Sequence, residues 1–290
     1  MHLWTVLVIA AGLWALAPVL AFGFAGDQSI RLCQKLPVPF RLILPALFGI
    51  PYLLAGSQWN RGHWLVIYFG LPVVIAVVLW HAGQDDPQQR GDWRDFAILV
   101  LLGLAVDLRW LEPAWPARLS VISKLILLDS GLYGFLAIRQ LKNVGFDLLV
   151  RMNDVLIGLR ELLFFAPIVI PLGLALGFLH FHGYLPQPRS VALTVTFTFF
   201  FIAIPEEIYF RGWMQNLLER RVGPRISLWL TALIFGLSHF NKRATHFNWR
   251  YVLLAAIAGI FYGRAWRSRH RVAASAITHT CVDTVWSLWL

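Results

Sequence analysis

Long apolar runs separated by short polar stretches recur along the whole chain. The longer runs can cross about 30 Å of hydrocarbon as helices, whereas several other runs are short. Ten runs stand out, at about 3-25, 40-57, 64-80, 97-110, 119-138, 161-180, 190-217, 226-240, 250-266 and 272-289. The pattern predicts an all-α, polytopic transmembrane helix bundle with about eight to ten membrane helices.

Composition and charge agree with a membrane protein. The chain is 58% hydrophobic and 14% charged, far from the average of soluble proteins. Of the 25 Lys and Arg, 17 fall in the stretches 26-41, 81-96, 139-160, 207-225 and 264-271. Because positive loops stay in the cytoplasm, this bias predicts that both termini lie outside. Topology thus explains the net charge of +10, so we expect membrane lipids and no nucleic acid as partners.

One polar stretch has the periodicity of a surface helix. In residues 139-160 apolar positions recur at helical spacing, with Lys142, Arg151 and Arg160 elsewhere. The pattern predicts a cytoplasmic amphipathic segment. It would divide an N-terminal transmembrane bundle of unknown role, 1-138, from a C-terminal domain, 161-290.

Ionisable residues inside apolar runs are informative, because a charge in a bilayer must be paired or face a polar cavity. The N-terminal half has Lys124 and Asp129 in one run, and Asp107 and Arg109 near the end of another. Internal pairing is the plain explanation for these four residues. From Ser190 onward the density of such residues is higher, which favours a functional site.

The first polar element lies in the seventh run. Glu207 and Arg211 are four residues apart, so they share a helical face and can form an ion pair. Glu206 lies about 100° around the helix and lacks that partner, which suits a general base or acid. Pro205 removes a backbone hydrogen bond and predicts a kink just before the pair. A purely structural alternative is that the helix leaves the membrane here, with the carboxylates of Glu206 and Glu207 among the lipid headgroups.

Two further elements carry histidine. Phe235 and His239 end the eighth run, where a single histidine is more often an interfacial residue than a catalyst. In the last run His279 and Asp283 are four apart, so the carboxylate can accept a hydrogen bond from the imidazole and fix its tautomer. Each element alone could be structural.

Together and in this order, the three elements resemble the motifs of the CAAX-protease and bacteriocin-processing family of intramembrane endopeptidases. Those motifs read Glu-Glu-x-x-x-Arg, Phe-x-x-x-His and His-x-x-x-Asn or Asp, and all three are present. The resemblance covers roughly residues 190-290.

This resemblance implies an all-helical membrane protease with its site in a cavity. Glu206 would activate a water with help from His239, while His279 and Asp283 would steady the oxyanion. It gives a structural role to Glu207 and Arg211. The resemblance implies a peptide or protein substrate, and the family name suggests lipid-modified proteins among such substrates.

Three questions follow from the same residues. The prenyl-processing members carry Asn where this chain has Asp283, and an ionised Asp cannot donate to an oxyanion.

The carboxylates and histidines could bind zinc, but closely spaced ligands are missing, so no cofactor or metal is expected. Finally, helical rise puts His239 about 20 Å deep and His279 about 10 Å deep, so a tilt or a short helix must close the gap.

Other readings of the sequence are a non-catalytic membrane scaffold or immunity-type protein with the same fold, a zinc-dependent protease, and a transporter. No second copy of the Glu-Glu element supports a transporter. The inside loops fit a bacterial inner membrane and an endoplasmic-reticulum membrane equally, and compactness and short termini favour the bacterial inner membrane.

Overall fold

The computed structural model describes residues 3–56, 62–183, 185–242 and 246–290, and the regular elements in these ranges are all helices. The ten main helices are α1 (Leu3–Gln34), α2 (Val38–Ala55), α3 (Gly62–Asp85), α4 (Trp93–Asp107), α5 (Ala117–Ile138), α6 (Met152–Ala175), α7 (Pro188–Val222), α8 (Pro224–Leu237), α9 (Trp249–Arg269) and α10 (Val272–Trp289). One helix occupies each predicted run, although the second run reaches residue 57, which lies outside the described ranges. The all-α prediction is confirmed.

Six of these helices are long and apolar enough to cross a membrane by length and composition: α1, α2, α3, α5, α6 and α7. The chain is therefore an integral, multi-pass membrane protein. The prediction of eight to ten also counted runs that are shorter or more polar. With 14 residues, α8 extends about 21 Å, less than the hydrocarbon thickness. Arginines in α9, and His279 and Asp283 in α10, make those two helices more polar.

The chain forms two compact units, Met1–Lys142 and Asn143–Leu290. The first contains α1 to α5 and has a buried aromatic cluster. The rings of Tyr52 and Tyr68 stack with centroids 4.5 Å apart, and the Trp115 indole donates to the Tyr68 hydroxyl at 2.6 Å. The Tyr68 hydroxyl in turn donates to the carbonyl of Leu111, so a buried polar group of this cluster is satisfied.

A buried ion cluster also holds the first unit together. The Arg139 guanidinium donates from Nε to Asp95 Oδ1 at 2.9 Å and from Nη2 to Asp86 Oδ2 at 2.7 Å. Its Nη1 donates to the carbonyl of Asp86 at 3.0 Å. All three nitrogens of the guanidinium therefore have acceptors, which offsets the cost of burying the charge.

The pairing predicted inside the fifth run is wrong. Lys124 Nζ lies 3.1 Å from Glu112, not beside Asp129. Five residues of helix rotate by about 500°, so Lys124 and Asp129 point to different faces. Asp129 is buried, and its Oδ1 has no hydrogen-bond partner among the described residues.

The predicted amphipathic helix over 139-160 is also wrong in its first half. Residues 140–151 are irregular, and α6 begins only at Met152. Gln140, Asn143 and Gly145 have positive φ values of 52°, 60° and 73°, a conformation that ends helices. A Cβ on Gly145 would lie 1.8 Å from the carbonyl oxygen of His270, so only glycine fits there.

This irregular segment is fixed within the second unit by hydrogen bonds and ion pairs. The Val144 carbonyl accepts from the Trp266 indole at 3.1 Å, and Arg271 lies 3.0 Å from Asp147 and 2.7 Å from Asp154. Burial acts to raise the pKa of Asp147, but hydrogen bonds from the Leu149 amide and Arg271 outweigh it. The net pKa of Asp147 is therefore below its ordinary value.

The second unit contains α6 to α10. In this unit α10 packs against α6 and α9, and α8 packs against α9. Glycine permits the close approach of α8 and α9, because a Cβ on Gly236 would lie 2.5 Å from the Val252 carbonyl oxygen. Turns of α7 widen to i→i+5 hydrogen bonding at Phe199–Ala203 and Ile208–Gln215, on both sides of the turn that contains Pro205.

Candidate active site

A cavity of about 520 Å³ lies in the second unit, with walls from α6 to α10. Most of its lining is apolar, with side chains such as Phe165, Val169 and Trp286. Four of the six candidate residues line it as well: Glu206, His239, His279 and Asp283. An apolar cavity with a few convergent polar groups is typical of a binding or active site.

The other two candidates, Glu207 and Arg211, are fully buried next to the cavity. Arg211 Nη1 donates to Glu207 Oε1 at 3.0 Å, which confirms the ion pair predicted from the four-residue spacing. Arg211 Nη2 donates to the carbonyl of Gly259 at 3.0 Å. The Arg211 guanidinium also lies 4.6 Å from the centroid of the Phe235 ring, within cation–π range.

Glu207 also holds His279. The same Oε1 lies 2.8 Å from His279 Nδ1, whereas Asp283 Oδ2 is 3.5 Å from His279 Nε2. The sequence predicted that Asp283 can accept a hydrogen bond from the imidazole of His279, and its carboxylate does lie beside Nε2, but the closer carboxylate is that of Glu207, on Nδ1. A carboxylate accepts hydrogen bonds, so Glu207 keeps the proton on Nδ1 and directs Nε2 into the cavity.

Glu206 differs from its neighbour in sequence. Its side chain is 28% exposed and that of Asp283 is 29% exposed, whereas that of Glu207 is inaccessible. Glu206 Oε2 lies 4.0 Å from His279 Nε2. Two partly accessible carboxylates therefore flank one imidazole nitrogen, and the third carboxylate is buried on the other side of the ring.

His239 reaches the same cavity from the end of α8. Its Nδ1 lies 2.8 Å from the carbonyl oxygen of Phe235. Because a carbonyl only accepts, Nδ1 carries the proton, and Nε2 of the neutral ring is an acceptor. The Phe235 ring contacts both imidazoles, with centroid distances of 4.9 Å to His239 and 5.8 Å to His279. The short α8 thus brings together two histidines that simple depth counting separates.

Sequence reasoning missed two residues that contact this cluster. Ser275 Oγ hydrogen-bonds to Glu207 Oε2, and it lies 2.9 Å from the carbonyl oxygen of Tyr262. The Tyr262 ring stacks on His279 with centroids 4.6 Å apart. Ser275 is one helical turn before His279, so its position on that face was readable from the spacing. No spacing connects Tyr262 to the motifs, because α9 carries none of them.

The metal question stays a prediction. In the described ranges no three His, Cys, Asp or Glu side chains are arranged to hold a metal ion. The Nδ1 atoms of His239 and His279 already have partners, so a metal ligand from either residue would be Nε2. Cleavage measured with and without a chelator tests this prediction.

The fold and site define a class: a multi-pass membrane protein with an acid–base cluster in a largely apolar cavity. Residues 188–285 match the family model described as type II CAAX prenyl endopeptidase Rce1-like. This match supports, for this part of the chain, the resemblance to the CAAX-protease family that the three motifs indicate. The description of that model names an endopeptidase, an enzyme whose substrate is a peptide or protein. Searches of curated proteins and of solved structures found no match.

Proposed function

We propose that this protein is an intramembrane endopeptidase of the CAAX-protease type in which Glu206 activates the attacking water. The observation that carries the proposal is the contrast between adjacent carboxylates. Glu207 is buried and bound by Arg211, His279 and Ser275, while Glu206 is partly exposed in the cavity. A general base must reach a water, and of the two only Glu206 faces the space that can hold one.

The reaction follows from these contacts. Glu206 takes a proton from water, and the resulting hydroxide adds to the carbonyl carbon of the scissile peptide bond. His239 Nε2 is an acceptor that helps to orient the water. When the C–N bond breaks, Glu206 returns the proton to the leaving amine, so the products are a carboxylic acid and an amine.

His279 stabilises the negative charge on the carbonyl oxygen. Its Nδ1 is held by Glu207, and its Nε2 points into the cavity between Glu206 and Asp283. A proton on Nε2 makes the ring an imidazolium that donates to the oxyanion. In this proposal Asp283 supports that proton, which is a role an ionised carboxylate can fill.

For the substrate we propose a peptide or protein segment that enters from the membrane and is lipid-modified. The family description names prenyl endopeptidases, and the mostly apolar lining of the cavity suits such a substrate. We expect the protein to reside in a bacterial inner membrane.

The test uses purified full-length protein in lipid vesicles and a fluorescent peptide ending in a CAAX sequence, either farnesylated or unmodified. We expect wild type to cleave the farnesylated peptide and Glu206→Gln to be inactive. Glu219→Gln is the matched control, since this carboxylate pairs with Arg267 away from the cavity. Equal cleavage by wild type and Glu206→Gln would refute the proposal.

A chelator arm and the unmodified peptide sharpen the result. Cleavage that survives chelation supports the glutamate mechanism, whereas loss that added zinc restores would indicate a metalloprotease. Equal cleavage of both peptides would contradict the lipid-modified substrate class while leaving the peptidase assignment intact.

A further inference from the structure

A residue from α9 completes the cluster around His279. Tyr262 lines the cavity, yet its side chain is almost fully buried at 1% relative exposure. The three motifs lie on α7, on α10 and at the end of α8, so this tyrosine belongs to none of them. Its position between buried partners raises the question of what it does for the site.

The Tyr262 ring covers one face of the imidazole. Its plane is inclined by only 15° to that of His279, with centroids 4.6 Å apart. Phe235, by contrast, meets the same imidazole edge-on, at 90° and 5.8 Å. A parallel aromatic face resists tilting of the imidazole out of its plane, and Nε2 keeps its direction into the cavity only if that plane is fixed.

Tyr262 also contacts the groups that hold the other side of His279. Its backbone carbonyl oxygen is 2.9 Å from Ser275 Oγ, which hydrogen-bonds to Glu207. The Arg211 guanidinium lies 5.3 Å from its ring centroid. The ring of Tyr262 therefore packs against His279, while its backbone braces the carboxylate that binds Nδ1.

We infer that Tyr262 is a positioning residue of the site, which keeps the His279 imidazole oriented through its ring and not through its hydroxyl. The inference rests on the proposed function, because it assigns a role in that reaction. The Tyr262 hydroxyl makes no hydrogen bond to any residue in the described ranges, whereas its ring contacts His279, Phe235 and Arg211.

The kinetic test compares Tyr262→Phe, which keeps the ring, with Tyr262→Met, which removes it and leaves a flexible side chain of similar reach. We expect Tyr262→Phe to stay within about threefold of wild type, and Tyr262→Met to lose about 10-fold to 100-fold in kcat with little change in KM. If Tyr262→Phe loses as much kcat as Tyr262→Met, the hydroxyl and not the ring orients His279, and the inference is wrong.

The second readout does not depend on peptide cleavage. In micelles, the His279 Nδ1–H proton bound to Glu207 should give a protected low-field NMR resonance, assigned by its absence in His279→Gln. Its environment includes Glu206, Glu207, Asp283, His239 and Arg211, so pH is held constant across the variants. We expect the resonance to persist in Tyr262→Phe and to broaden or vanish in Tyr262→Met.

The two readouts separate failure of the inference from failure of the proposed function. If Glu206→Gln cleaves like wild type, the protease proposal fails, yet the resonance still shows whether Tyr262 orients the imidazole. If Tyr262→Met retains both kcat and the resonance, the inference is wrong even in an active protease. Tyr262→Leu replaces the methionine variant if the latter does not fold, and the same outcomes apply.

Discussion

Each unit of this protein buries an arginine among carboxylates, and the two clusters differ in what they leave accessible. In the first unit Arg139 binds Asp86 and Asp95, and every nitrogen of its guanidinium has an acceptor. In the second, Arg211 binds the buried Glu207, while Glu206 and Asp283 remain partly exposed in a cavity. A buried ion pair is thus weak evidence for function, because pairing alone explains it. Accessible carboxylates beside a histidine are stronger evidence.

The largest expected effect separates activity from stability. Glu206→Gln should lower kcat by about 100-fold to 10,000-fold, the range for loss of a general base. Its thermal unfolding should match wild type, since the side chain is partly exposed and its ionic contact with His279 Nε2, at 4.0 Å, is long. Unfolding temperature and kcat of the same preparation check this. If Glu206→Gln loses activity only because it unfolds, the Glu206 cluster would stabilise the fold as the Arg139 cluster does, and the two would not differ in function.

Arg139→Met should show the opposite behaviour. Removing the guanidinium leaves Asp95 buried without its partner, at a cost of about 3–5 kcal/mol in the free energy of unfolding. Activity per folded molecule should be unchanged. Arg118→Met, at an exposed arginine of the same unit, is the control and should change stability by less than about 0.5 kcal/mol. A stable Arg139→Met variant with reduced kcat would instead give the first cluster a functional role.

Variants of Asp283 show whether catalysis needs both of the partly exposed carboxylates, Glu206 and Asp283, or Glu206 alone. Asp283→Asn should stay within about tenfold of wild-type kcat, while Asp283→Ala should lose about 100-fold, because an amide can still accept from His279 Nε2 or donate to an oxyanion. Steady-state kinetics on the farnesylated peptide measures both. Equal activity of Asp283→Ala and wild type would show that catalysis needs Glu206 and the histidines but not Asp283.

The smallest effect concerns a surface pair and its pH dependence. The folded pKa of Asp147 is lowered, so its stabilisation is present above the ordinary carboxyl pKa of about 4 and is lost as pH falls through the lower folded pKa. Asp147→Asn should remove this dependence and cost less than about 1 kcal/mol at neutral pH, since the carboxylate is partly exposed. Unfolding temperatures between pH 2 and pH 7, about the range over which such a group titrates, measure it. Identical slopes in the two proteins would contradict the expectation.

Much of the fold was readable because membrane helices depend on local composition. Ten apolar runs predicted ten helices, and the four-residue spacing of Glu207 and Arg211 predicted their ion pair. Prediction failed where local pattern conflicts with long-range contacts. Residues 140–151 have helical periodicity, but Asn143 and Gly145 take positive φ, and the segment is held by contacts with residues far away in the chain.

The sequence by itself determined the helices, the membrane setting and the three polar motifs, because each depends on residues within a few turns of one another. Only the tertiary structure decided which partner each polar group has. It placed Glu207 rather than Asp283 on His279 Nδ1, brought His239 into the same cavity through a short helix, and added Ser275 and Tyr262. These contacts join separate helices, and helical spacing fixes the face of a side chain without fixing what lies opposite it.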